Sequence, residues 1–173
     1  MRDRDGDGVS TLTLAAATRA GDVVITMGMF DNATWLSRWD LRNPRRVVDV
    51  RVPARIDRIA LGPTGPWWAV GLHDGQVHLY AAAVDRGFVI EAGHHGPITA
   101  LAFTPSGHRL VTASDDGTLS LSDLTTGRAV GRARFPFDRV TSVWVSPAGD
   151  ALRVETARGM RARFGMATPS AGE

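Results

Sequence analysis

The chain has 173 residues, 43% of them hydrophobic and 22% charged, which suits a globular fold with a real core. Cysteine is absent, excluding disulfides, cysteine nucleophiles and thiolate metal sites. All 20 basic residues are arginine and Tyr80 is the one tyrosine, so a net charge of +2 suffices for a pI near 10.3. The high pI is therefore not a nucleic-acid signal by itself. With no run of about 18 uncharged apolar residues and no apolar stretch after Met1-Arg2-Asp3-Arg4-Asp5, the expectation is a cytoplasmic protein without membrane span or export signal.

Taken in chain order, residues 1–8 form a charged tail. Within it Asp3, Asp5 and Asp7 fit the first half of a calcium loop, in which alternating carboxylates converge on a hard cation. Thr11 and Leu14 stand where further carboxylates are needed. A solvated tail is expected, with no metal and no cofactor.

Beyond the tail the sequence repeats. The segment from Ile98 to Asp123 slides back 42 residues without a gap, setting Pro105 on Pro63, Gly107 on Gly65, Asp116 and Gly117 on Asp74 and Gly75, and Ser122 on Tyr80. Slid forward 42, it meets Pro147, Gly149, Gly159 and Phe164. An earlier copy runs from Leu12 through Thr26 to Trp39 and Asp40, with two extra residues placed in the hairpin around Asp31 and Asn32. The copies span about 9–52, 53–94, 95–136 and 137–165, and residues 166–173 make a flexible tail.

Each copy reads as antiparallel strands. The Pro-x-Gly triplets signal tight turns, and the Asp-Gly dipeptides suit two-residue hairpins. Apolar and β-branched runs lie between them, as from Ile98 to Phe103, Arg109 to Ala113 and Thr118 to Leu121, and a fourth run follows, as from Ala129 to Phe135. The fold class is all-β, about 15 short strands in four-stranded meanders. The last copy has three strands, because Pro169 and two glycines spoil the tail as a strand. One such sheet buries neither face alone, so neighbours must stack.

These copies resemble WD repeats, and the chain resembles part of a WD-repeat β-propeller. The third copy carries most of the likeness through Gly93, His94, Pro105, Gly107, Thr112, Asp116, Gly117, Ser122 and Asp123, and the first supplies Trp39 and Asp40. In that family a loop His, a strand Ser or Thr, a turn Asp and a Trp form a buried hydrogen-bonded tetrad in each blade. The resemblance assigns His94, Thr112 and Asp116 to three of these places, with Ser122 in place of Trp; Thr26, Asp31 and Trp39 match in the first copy and Asp74 in the second. In the fourth, Arg158 and Phe164 replace Asp and Trp. The resemblance also implies a ring of seven or eight blades. Four blades would leave two large apolar faces open, so the chain is expected to be a segment of a longer propeller or to pair with another half-ring or with itself.

The function this implies is a non-enzymatic protein-binding scaffold, with Arg55, His73, Asp115 and Arg139 as partner contacts on the rim formed by the loops before the first strands and between the second and third. His94, Thr112 and Asp116 also resemble a catalytic set on paper, but a buried structural network explains them better. A hydrolase or lyase with a channel site is the alternative, and it lacks convergent polar groups at inward positions. Residues 128–163 hold 8 Arg against 3 acids, which could bind anions. Edge protection explains that excess as well, and sparse aromatics argue against nucleic acid.

Overall fold

The computed structural model describes residues 10–17, 23–30, 33–42, 45–52, 54–63, 67–81, 87–136 and 138–166. Among them are fifteen strands and no helix. Four sheets follow one another along the chain, each an antiparallel meander in sequence order. The first blade holds β1 (Ser10–Ala17), β2 (Val23–Phe30), β3 (Ala33–Asp40) and β4 (Arg45–Val52). The second holds β5 (Ile56–Leu61), β6 (Trp68–Leu72), β7 (Val77–Tyr80) and β8 (Phe88–Ile90). The third holds β9 (Ile98–Phe103), β10 (Arg109–Ser114), β11 (Thr118–Asp123) and β12 (Ala129–Arg134), and the fourth only β13 (Val140–Val145), β14 (Ala151–Thr156) and β15 (Arg161–Gly165).

Two local expectations are corrected. Ten residues separate the paired Thr26 and Ser37, whereas seven separate the corresponding pair Thr112 and Ser120, so the first copy carries three extra residues in this hairpin rather than two. They extend the ladder, which continues to Phe30 opposite Ala33; Asp31 and Asn32 lie outside the described residues. The Asp-Gly dipeptides do not form two-residue hairpins. Gly117 N–H donates to the Ser114 carbonyl at 3.2 Å and Gly75 N–H to the Leu72 carbonyl at 3.2 Å, which makes each glycine the fourth residue of a four-residue turn. Gly75, Gly117 and Gly159, spaced by 42, have φ of 90°, 79° and 81°, the left-handed region in which only glycine is free of strain.

The core lies between blades, because strand alternation gives each sheet two apolar faces. Ile25, Leu36 and Val50 of the first blade meet Trp68, Val70, Leu72 and Tyr80 of the second. Ala69, Val77, Leu79 and Ile90 of the second meet Ile98, Phe103 and Leu110 of the third. Ala100, Val111, Ala113 and Leu119 of the third meet Val140, Val143, Leu152 and Val154 of the fourth, with Ala102 and Leu121 packed alongside.

That third-blade face does not recur in the fourth blade. Forty-two residues on from Ala100, Ala102, Val111, Ala113, Leu119 and Leu121 stand Ser142, Trp144, Arg153, Glu155, Arg161 and Arg163. The expectation of an open apolar face therefore fails at this end of the arc. The fourth blade carries charged and polar side chains there, with the half-exposed Trp144 among them.

Candidate functional site

The rim is organised by a backbone bond that repeats with the period of the sequence. The amides of His73, Asp115 and Ala157 donate to the carbonyls of Arg55, Pro97 and Arg139, each at 2.9 Å. In every case the turn after the second strand is tied to the segment before the first. Arg55, His73, Asp115 and Arg139 thus come to the same edge of successive blades.

Their side chains fall into two groups. In the second blade Asp57 accepts from both sides, with Arg55 Nε 3.2 Å from Oδ1 and His73 Nδ1 2.8 Å from Oδ2. Between the third and fourth blades, Arg139 Nη1 donates to Asp115 Oδ1 at 3.4 Å. Asp57 is largely covered while Arg55 is 73% exposed, so the guanidinium keeps most of its surface for other acceptors. Sequence reading missed Asp57. The available signal was its place two residues after Arg55, on the same side of an extended segment. Exposed ion pairs such as Arg55–Asp57 and Arg139–Asp115 contribute about 0–1 kcal/mol, so an incoming charged group displaces them at little cost.

Below the rim, the third blade holds a relay that the geometry orients. Asp116 Oδ1 accepts from Thr118 Oγ1 at 2.5 Å and from the Thr118 amide at 2.8 Å, and Oδ2 accepts from the His95 amide at 2.7 Å. Having donated its proton to the carboxylate, the Thr118 hydroxyl accepts from His94 Nδ1–H at 2.6 Å. His94 Nε2 is then left to accept from the Thr112 hydroxyl, also at 2.6 Å. Burial lowers the His94 pKa, which keeps the ring neutral as this order of donors requires. Burial works to raise the Asp116 pKa, but the hydrogen bonds from Thr118 and His95 hold it below the usual value.

The three residues anticipated from the sequence are therefore joined, but His94 reaches Asp116 through Thr118. A threonine is ordinary in a strand and gives no signal of that role. Ser122, at the Trp position, is buried with its hydroxyl unpartnered. Thr112 is 0% exposed, so its hydroxyl meets no solvent.

The other blades differ. Trp39 Nε1–H donates to Thr26 Oγ1 at 2.9 Å, while Asp40 accepts from the Arg42 amide at 3.0 Å. In the second blade Asp74 caps its turn, accepting from the Gln76 amide, and Trp68 stacks on Tyr80 at 4.4 Å. Phe164 of the fourth meets Phe135 edge to face. Among the described residues no group of three His, Cys, Asp or Glu could hold a metal, and Asp3, Asp5 and Asp7 lie outside them.

A ring segment of stacked meanders with a loop-built rim defines a β-propeller. The "WD domain, G-beta repeat" family matches residues 88–123, the stretch that holds the relay. The Periodic tryptophan protein 2 of Saccharomyces cerevisiae is 33% identical over 42% of this chain and 8% of its own. The Retinoblastoma-binding protein 5 homolog of Drosophila melanogaster is 33% identical over 53% of this chain and 18% of its own. The Cps50 (Swd1) β-propeller domain of Myceliophteria thermophila superposes with a TM-score of 0.75 at 20% identity, over 95% of this chain and 54% of that domain. The chain is similar to WD-repeat proteins over the stretch these matches cover, and it shares the β-propeller fold of the solved domain. It spans less than a fifth of these two relatives and about half of the solved propeller domain.

Proposed function

We propose that this chain is a non-enzymatic scaffold of the cytoplasm that binds a protein partner through the rim carrying Arg55, His73, Asp115 and Arg139. The observation that carries the reading is the repeated backbone bond from the turn after the second strand to the segment before the first. It fixes a loop edge of constant geometry and leaves the side chains on it exposed. Their paired charges, with the largely covered Asp57 behind them, suit a partner surface of mixed sign. The WD-repeat relatives support a protein partner; one is named as binding another protein.

Pairing with another half-ring is a second partner reading, supported by the arc of four blades. A half-ring of different sequence fits it better than a second copy. The first blade's outer face carries Thr26, Trp35, Ser37 and Trp39, and there Asp49, bonded to Ser37, is balanced by Arg51 opposite Trp35, so it offers no carboxylate excess to meet the arginines of the fourth. An enzymatic reading places the chemistry in the channel and requires turnover that the rim substitutions leave unchanged.

The test is partner capture by the chain with Arg55, His73, Asp115 and Arg139 all changed to Ala, its β signal verified by circular dichroism. The reading expects capture to be lost. Unaltered capture sinks the rim assignment, and turnover of a substrate by the same variant favours the enzyme.

A further inference from the structure

The junction between the second and third blades lies inside the arc, with a four-stranded sheet on either side. A groove of about 640 Å³ opens there. It is lined by turns between first and second strands and between third and fourth, so it lies at the edge opposite the rim. One wall is apolar and comes from the second blade, where Trp67 meets Phe88 edge to face at 5.7 Å and Val89 follows. Phe88 is 44% exposed and Val89 51%. The other wall is polar and comes from the third blade, with His108, Thr125 and Arg128 along it. The buried Leu124 lines the groove as well and joins it to the core.

Main-chain bonds hold the two walls in place. The Glu91 amide donates to the Gly127 carbonyl at 3.0 Å across the junction, and the Leu124 amide to the His108 carbonyl at 2.9 Å. Within the turn, Asp123 Oδ1 accepts from the amides of Thr125 and Thr126 at 2.9 and 3.1 Å. A groove fixed in this way costs little ordering when it is filled. The fold does not require its aromatic pair. Forty-two residues on from Trp67 stands Arg109, and opposite Leu121, in the place that Phe88 takes opposite Leu79, stands Gly131. Adjacent half-exposed apolar residues beside a second aromatic ring form a patch rather than a scatter. Charge is the second feature. Arg128 stands across the junction from Glu91, and Arg132 Nη2 donates to the Glu91 carbonyl at 3.4 Å. Two guanidinium groups thus attend one carboxylate, and Arg128 forms no ion pair among the described residues.

We propose that this groove receives an extended segment of a partner protein that carries a large aliphatic side chain and, two residues away, a carboxylate. The rings of Trp67 and Phe88 stand at 79° to each other, a corner that fits a branched side chain such as leucine. From Phe88 to Glu91 the chain advances three residues, about 10 Å, and Arg128 lies opposite Glu91. An extended partner sets residues two apart on one side at about 7 Å, and the long arginine side chain spans the rest. The corner supplies apolar burial. Arg128 and the exposed Thr125 hydroxyl supply donors for the carboxylate, the arginine a charge-assisted one. A saccharide fits less well, because a sugar ring stacks on an open, flat aromatic face and the two rings here are nearly perpendicular. This second surface rests on the scaffold reading and serves a partner other than the one at the rim.

The probe is the capped peptide Glu-Ser-Leu-Ser-Glu, which offers a carboxylate on either side of leucine, titrated into the whole chain and followed by amide shifts in nuclear magnetic resonance. Shifts are expected at residues 107–108 and 125–128 and not at 73, 115 and 157, with affinity falling as salt rises. Phe88→Ser and Arg128→Ser, each checked for an unchanged β spectrum, are expected to weaken binding about tenfold each, through lost apolar contact and a lost charge-assisted bond. Arg128→Glu is expected to transfer the preference to Lys-Ser-Leu-Ser-Lys, and a peptide with serine in place of leucine is expected to fail. Should Phe88→Ser unfold the chain, the charge exchange at the exposed Arg128 still decides. Absence of the shifts, undiminished binding by either Ser variant in a folded chain, no transfer of preference by Arg128→Glu, or tighter binding of maltoheptaose each overturns the proposal. So does a dimer of the free chain that Phe88→Ser dissociates, because a second copy then owns the groove. The rim variant should bind the peptide unchanged. Loss of the peptide by that variant overturns the groove and leaves the rim standing, whereas a rim variant that keeps its captured partner sinks the rim and leaves the groove.

Discussion

Gly117 and Gly159 occupy the same turn one period apart with nearly the same φ, yet their surroundings differ. A Cβ on Gly117 would lie 2.5 Å from the Phe135 carbonyl oxygen, whereas nothing lies within 4 Å of one on Gly159. Gly159→Ala should therefore show only the backbone cost, about 1 kcal/mol, and Gly117→Ala at least twice about that figure, because a backbone carbonyl cannot yield. Urea denaturation of both variants measures the difference, and equal losses would refute the packing drawn here. The relay makes a second residue-scale prediction. Asp116→Ala leaves Thr118 and the His95 amide without their acceptor and should cost about 1–3 kcal/mol, with rim binding retained.

The same residues give the protein an acid limb. The folded pKa of His94 lies below its unfolded value of 6.5, so the unfolded chain takes up protons first. The stabilisation is complete above pH 6.5 and is lost as pH falls through the folded pKa. His78 shifts in the same direction by burial. Asp116 adds a loss of the same sign below its unfolded value of 3.8. His94→Gln should lower the melting temperature at pH 7 and flatten its decline between pH 7 and 5. A decline as steep as that of the parent chain would assign the proton uptake elsewhere.

At the scale of strands, the 42-residue period carried the strand order and the four sheets of the described residues, because turn glycines and apolar runs are local signals; the tail with Pro169 lies outside those residues. Local signals also explain the misses. An Asp-Gly dipeptide serves both two-residue and longer turns, and only the bond from Gly117 to Ser114 distinguishes them. The extra residues of the first hairpin could not be assigned to loop or ladder from composition. The arginines of the fourth blade were visible as an excess of charge, but their opposition across strands depends on register. Register also yields a prediction. Arg153→Glu replaces the repulsion with Arg163 by attraction, so it should stabilise the chain by about 0.2–1 kcal/mol at low salt and by less at high salt. Destabilisation at low salt would contradict the pairing of Arg153 with Arg163.

At the scale of the whole molecule, three apolar layers between four sheets hold the arc. Its circular dichroism should show a β spectrum without a helical minimum at about 222 nm, since all regular structure among the described residues is strand. The rim was legible in part. Period placed Arg55 with Arg139 and His73 with Asp115, but not the Asp57 that ties Arg55 to His73, because that contact joins residues 16 apart across a strand pair. The most direct measurement of the central claim is hydrogen exchange of the chain, free and saturated with its captured protein partner. The account predicts slowed exchange at the rim amides around residues 73, 115 and 157, with the opposite turns at residues 104–109 and 146–151 unchanged. Protection confined to those opposite turns would contradict it.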